Sequence, residues 1–488
     1  MLFLSANLTR NESAVWASLD DSITYPNKIP FNPPKNYPEK PFDCGVDETN
    51  KVYAAIRKIF ELMNLDRFNR NTSEWSPLSE VIKKGDKVMI KPNLVLDRNL
   101  SGGSVFAVVT HPAIIRTVVD YAYKAIGDGG KIVIADAPQN DANFEKLVET
   151  TGLRATVEYL KSNFSVPLEL CDLRREKVVH KNGAIVERHI LSGDPKGYAC
   201  VDLGKKSNLE EFGSNYKNFY GADYDRRKTV SFHREGHHVY SVSKTALESD
   251  VIINLPKLKT HMKAGVTISL KNMIGIIGEK SSIPHYRVGP PSRGGDEYPE
   301  QISIFKAFSL KFNRVYSDYL LSRGLGANLY GNLFKLCGGN RKFANESGGS
   351  GFVHSGNWCR NDTIWRSVLD INKIAIFADK NGQIQETPQR KMFILVDGII
   401  GGEGQGPLAP RAKRSGTVIC GTDPIYVDRV GARLMGFNEA RIPLLARFAR
   451  SSLSDHINIV LLEKDNAKVV NFHDLSNLHF KPPYGWNN

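Results

Sequence analysis

At 488 residues, with 41% hydrophobic and 24% charged residues, the chain has the make-up of a folded protein and is not a low-complexity or disordered polymer. It carries 65 lysines and arginines against 52 acidic residues, a net charge of +13, so its surface attracts anions. No apolar run reaches the roughly 20 residues of a membrane span, and MLFLSANLTRNESAVW lacks a basic leader and an apolar signal core, so a cytoplasmic protein is expected.

Residues 1–50 are rich in proline, as in PNKIPFNPPKNYPEKP, and read as an extended arm or mobile leader. VYAAIRKIFELMNL (52–65) has helical periodicity. Lys87-Val88-Met89-Ile90 is the first strong strand signal, and Pro92, which has no N–H to donate, ends it with Lys91 and Asn93 at its carboxyl end. AIIRTVVDYAYKAIG follows Thr110-His111-Pro112 as a helix, KIVIAD (131–136) is a strand ending in Asp136, and NDANFEKLVETTG is the next helix. Such alternation builds a parallel sheet whose sites lie beyond the strands' carboxyl ends. Residues 172–248 are polar and irregular, an insertion. Residues 279–360 are a loop-rich insertion or lid around the helical stretch ISIFKAFSLKFNRVYSDYLLSRGLG. Regular structure returns at 361: NDTIWRSVLDINKIAIFA as a helix, MFILVDGII (392–400) as a buried strand, SGTVICGTDP as a strand and turn, and DPIYVDRVGARLMG as a helix.

The expected fold is α/β, with parallel or mixed sheets, flanking helices and two lobes around a cleft. Residues 51–278 form the first lobe and 361–488 the segment that completes the site.

The stretch 250–275 concentrates the chemistry. An apolar run, Val251-Ile252-Ile253, stops at Asn254, and Lys257, Lys259, His261, Lys271 and Asn272 follow among leucines and isoleucines. Ammonium groups in such surroundings need an anion or lose proton affinity. With Lys91, Asn93 and the backbone of Gly404 and Gly406 in the glycine-rich loop after Asp397, they are expected to hold a small carboxylate or phosphate. His111, His261, Glu403 or Lys271 would move a proton. Asp136, Asp423 and Asp428 would orient the lysines or bind a divalent cation, although Asp423 before Pro424 also serves as a helix cap. His233, His237 and His238 have ligand-like spacing, but Gly236 interrupts a helix there, and His285, in a proline-rich loop, could close over a ligand but reads first as a loop residue. The six cysteines are scattered, without cluster spacing, so reduced thiols and no iron–sulfur centre are expected. Two further readings are a non-catalytic binding protein for an anionic metabolite and a nucleic-acid binder. The second rests on charge alone, because no recognition motif is present.

Seven motifs in order, from about residue 51 to 450, resemble a bacterial and archaeal family known as domain of unknown function 362. They are KPNLV, THP, the strand ending in Asp136-Ala137-Pro138, NLPKLKTH with TISLKNMIG, NDTIWRSVLDIN, DGIIGGEGQGP and TDPIYVDRVGARLMG. The resemblance implies an α/β protein with a small-anion site and leaves the reaction open. Many members look like iron–sulfur proteins through appended cysteine runs, which this sequence lacks. The family is distantly similar to the nickel-pincer lactate racemase group, whose cofactor-bearing lysine motif is not matched here.

Overall fold

The computed structural model describes residues 14–181, 184–221, 226–300, 302, 304–321, 353–449 and 457–486. The first thirteen residues of the expected arm, and 322–352 within the expected lid, lie outside them. No helix among the described residues is long and apolar enough to cross a membrane.

The body is an eleven-stranded mixed sheet. In chain order its strands are β1 (Ala14–Leu19), β2 (Lys87–Pro92), β3 (Lys131–Asp136), β4 (Leu168–Asp172), β5 (Val251–Leu255), β6 (Lys257–His261), β7 (Gly265–Thr267), β8 (Lys391–Gln405), β9 (Ala409–Gly421), β10 (Asn458–Glu463) and β11 (Asn466–Val470). Across the sheet they run β11-β10-β1-β9-β8-β5-β2-β3-β4, with β6 attached to the outer half of β8 and β7 paired to β6. The four strands β5, β2, β3 and β4 are mutually parallel, as the alternation of strands and helices predicts. The expected two lobes are not separate in the sheet: β2 and β8, from the two ends of the chain, both flank β5.

Both faces are covered, which is why the strand sequences are nearly unbroken apolar runs and do not alternate with polar residues. Val88, Ile90, Ile132, Ile134, Ile253 and Phe393 pack on one side with helices α1 (Lys51–Leu62) and α2 (Pro112–Ile126). Met89, Val133, Ile252, Ile394 and Val396 pack on the other with α4 (Ile364–Phe377) and α5 (Pro424–Met435); α3, the short helix Ser269–Asn272, lies in the same layer. Each such fully buried side chain contributes about 1.5–3 kcal/mol.

Two departures from the sequence reading shape the molecule. The expected arm supplies β1, which lies between β9 and β10. The expected glycine-rich loop is the far end of strand β8, in a hairpin with β9 that pairs Gly402 with Ala412 and Glu403 with Arg411. Its glycines permit close packing: a Cβ on Gly402 would stand 2.5 Å from the Ala107 carbonyl oxygen, and one on Gly406 1.9 Å from that of Thr260.

The position of the site follows from Pro256. Strand β5 runs beside β2 until Leu255 meets Pro92, and Pro256 has no N–H with which to extend the ladder. Its carbonyl instead accepts from the Asp397 amide at 2.9 Å, and the chain resumes as β6 against the outer half of β8. Strand β2 ends at Pro92. Side chains from β6 and from the ends of β2 and β3 then line a common hollow.

Candidate functional site

The hollow has a volume of about 370 Å³ and lies at the carboxyl edge of the parallel strands. Its polar lining includes Asn93, Asp136, Lys259, His261, Lys263, Lys271, Asn272, Lys280 and His285. The segment Ala137–Asp141, residues Val178, His180 and Ile185 of a small hairpin, and Pro407 and Leu408 of the β8–β9 turn complete the wall. The size falls at the lower end of small-molecule pockets, about 300–1,000 Å³.

Helix α3 brings Lys271 and Asn272 to this wall, and two buried side chains fix it. Asp428, on α5, accepts from the Ser269 amide at 2.7 Å, the Ser269 hydroxyl at 2.5 Å and the Leu270 amide at 3.2 Å. Asn254, at the end of β5, donates to the Ser269 carbonyl at 2.9 Å. Asn272 then donates to Asn254 Oδ1 at 2.7 Å and accepts from Asn93 Nδ2 at 2.9 Å, while Asn93 Oδ1 accepts from the Lys259 ammonium at 2.7 Å. This run of amides ties together β5, α3, the end of β2 and β6.

Four lysines and two aspartates line the hollow, and both aspartates are already engaged. Asp136 pairs with Lys91 at 2.8 Å and accepts from the Leu94 amide at 2.7 Å; Asp141 pairs with Arg98 at 2.7 Å. Lys259 also donates to the Val108 carbonyl, Lys263 to that of Ser355 and Lys280 to that of Ala137. The Lys271 ammonium has no hydrogen bond or ion pair among the described residues, although its backbone carbonyl accepts from the Met273 amide. Burial, and then the Lys280 and Lys263 cations, lower its pKa to about 7. Burial lowers Lys280 to about 7 against the pull of Asp136, and Lys263 to about 8 against Asp296 and Glu297. Lys259 is driven well below the ordinary lysine range by burial and by Lys257 and Lys271.

The two histidines present opposite faces. His261 Nδ1 accepts from the amides of Lys263 (3.0 Å) and Ala264 (3.2 Å), so the neutral ring carries its proton on Nε2. His285 Nδ1 is 2.8 Å from the Ile283 carbonyl, which makes it the donor and leaves Nε2 with a lone pair. Burial and the neighbouring lysines keep both rings neutral, His261 far below its usual range and His285 at about 3.

Of the residues expected to form a site, Asn93, Asp136, Lys259, His261, Lys271 and Asn272 line the hollow, and Asn254 supports it from behind. Lys91 is sealed beneath Gly275, where a Cβ would lie 1.9 Å from Asp136 Oδ1 and 2.5 Å from Lys91 Cε. Lys257 and His111 belong to a different buried cluster. There Asp397 accepts from the Tyr25 hydroxyl at 2.5 Å and the His111 amide at 2.8 Å, and pairs with Lys257 at 3.0 Å. His111 stacks on Tyr25 and caps α2 through Nδ1, a structural task. Glu403 accepts from the Lys481 amide, and neither it, Gly404 nor Gly406 reaches the hollow. Asp423 caps α5, accepting from Ile425 and Tyr426 amides. Asp428 is spent on α3, and burial raises its pKa to about 7. Among the described residues no three His, Cys, Asp or Glu side chains converge as metal ligands, so Asp136, Asp423 and Asp428 do not form the expected cation set. His233 and His238 face each other across a hairpin at 3.3 Å; one is bound to the Ser282 carbonyl and the other to Glu210.

Lys263 and Lys280 are site residues that no sequence motif marks, and His285, which could close over a ligand from its loop, lines the hollow with them. All three lie on irregular backbone after β6, where no periodicity marks an inward face. The one available signal is the run of cations at Lys263, Lys271 and Lys280 amid otherwise apolar sequence.

The family model described as Domain of unknown function (DUF362) matches residues 88–194 and 177–433. No curated protein and no solved structure matches the chain.

Proposed function

We propose, for a chain that belongs to the domain of unknown function 362 family, that it is an enzyme acting on a small anionic metabolite seated among Lys259, Lys263, Lys271 and Lys280. The observation that carries this reading is Lys271: a cation beside two others, lining a hollow, with no protein partner among the described residues. A partly desolvated ammonium without a counter-ion is unfavourable, and a bound carboxylate or phosphate supplies the missing charge. His261 Nε2–H and His285 Nε2 give the same hollow a proton donor and a proton acceptor, which supports proton transfer on the bound anion. Asp428 and Asn254 act through α3 as positioning residues.

The test is a thermal-melting and calorimetric titration with pyruvate, phosphate and citrate, each compared with an uncharged analogue of similar size. At least one of the three anions raises the melting temperature in a saturable way, the uncharged analogues do not, and Lys271→Met weakens the effect at least tenfold. Equal responses to charged and uncharged molecules, or no response to any anion, overturn the proposal.

A further inference from the structure

The anion hollow, on which this inference rests, leaves one feature without a task. Holding an anion does not require a lysine to lack protein contacts: Lys259, Lys263 and Lys280 each donate to a carbonyl or amide oxygen and still line the cavity. Lys271 donates to none among the described residues, and its helix is fixed at Ser269 by Asp428 and Asn254. An amine held by its backbone, with its nitrogen facing open space, is arranged as a nucleophile is, free to present a lone pair. We propose that Lys271 condenses with the carbonyl of a 2-oxo acid to form an imine in the hollow.

The surroundings supply each part of that step. Lys263 and Lys280 are the cations that act most strongly on Lys271, so they are also the groups that would hold a carboxylate next to it. A carboxylate held by those two cations beside the reacting carbon is the arrangement of a 2-oxo acid, the class this inference takes. In the empty hollow the same two cations, after burial, favour the unprotonated amine, which makes up about half of Lys271 near neutrality. His261 Nε2–H can protonate the carbonyl oxygen and His285 Nε2 can take a proton from nitrogen.

The atoms balance without a further reactant. The Lys271 nitrogen lone pair forms the C–N bond, and the carbonyl π pair moves to oxygen, which takes the His261 proton. His285 accepts one nitrogen proton and returns it to the hydroxyl, which leaves as water as the C=N bond forms, and the second nitrogen proton restores His261. The imine withdraws electrons from the neighbouring carbon and so makes its proton removable, which gives the proton transfer proposed above a chemical reason.

The whole protein is incubated with pyruvate and sodium borohydride near pH 7, and the product is read by intact mass and peptide mapping, beside melting curves with pyruvate alone. One reduced adduct per chain, on Lys271, is expected. Lys271→Arg should lose at least tenfold of that labelling yet still be stabilised by pyruvate. If pyruvate stabilises the wild-type protein but no adduct forms, or if the variant is labelled equally on other lysines, the imine is refuted and the anion hollow survives. Absence of both stabilisation by pyruvate and adduct removes the imine, and the anion hollow falls with it only if phosphate and citrate also give no response.

Discussion

An anion bound among Lys263, Lys271 and Lys280 should lose affinity as pH rises through the range in which these lysines lose their protons. In the empty protein Lys271 and Lys280 titrate at about 7 and Lys263 at about 8, far below the ordinary lysine value of 10.5. A bound anion favours the ammonium forms and moves those values back up. Affinity is therefore full at pH 6 and falls above pH 7, by up to about tenfold per unit for each lysine whose charge is required. At pH 9 a group with a pKa of about 7 is roughly 1% protonated, so dependence on one such lysine gives about a hundredfold rise in Kd. Lys280 depresses Lys271, so loss of the Lys280 proton strengthens the hold of Lys271 on its own, and the slope of log Kd against pH should stay nearer one than two. The ligand must keep a fixed charge across the range, as a simple carboxylate does. Calorimetric titration from pH 6 to 9 at constant ionic strength measures the effect, and a Kd that changes less than threefold would refute the assignment of the charge to these lysines.

Three substitutions test the supporting framework. Asp397→Ala strands the buried Lys257 ammonium and should cost about 3–5 kcal/mol in denaturant unfolding, with part restored by adding Lys257→Met; no loss would mean the pair is already uncharged. Gly275→Ala forces a Cβ into Asp136 and Lys91 and should cost about 1–3 kcal/mol or more, read as a lower urea midpoint; an unchanged midpoint would show that this wall yields freely. Asp428→Ala removes the acceptor for three donors on α3, with a loss on the order of 3 kcal/mol and weaker anion binding, whereas Asp428→Asn keeps more of both; normal anion binding in the alanine variant would show that Lys271 needs no such anchoring.

Much of the parallel core can be read from the chain because β2, β3 and β5 are apolar runs bounded by turn residues and prolines, and strands buried on both faces have to look that way. The inner wall is legible for the same reason: Asn93 and Asp136, with Asn254 behind them, stand where such runs stop. The partner of each lysine was not. Lys257 and Lys259 are two residues apart on one strand, yet one meets Asp397 and Tyr25 in a closed cluster and the other reaches Asn93 in the hollow. Only the long hairpin, which brings Asp397 beside Lys257, decides between them. The same hairpin accounts for the misread glycine-rich stretch, since glycine permits tight strand packing as readily as an anion-binding turn. Strand β1 could not be anticipated because AVWASL is short and its neighbours come from the opposite end of the chain.

That last arrangement bears on how the polypeptide is made. Residues 14–19 are synthesised hundreds of residues before both of their hydrogen-bonding neighbours, Ala409–Gly421 and Asn458–Glu463. Until those strands are made, a tryptophan-bearing apolar segment lacks its sheet neighbours, and the sheet cannot close at this end before Asn458–Glu463 is available. Such late closure slows folding and favours association between unfinished chains. A chain that stopped between residues 421 and 458 would seat β1 against β9 and leave the other side of β1 as an open edge, a ready template for aggregation.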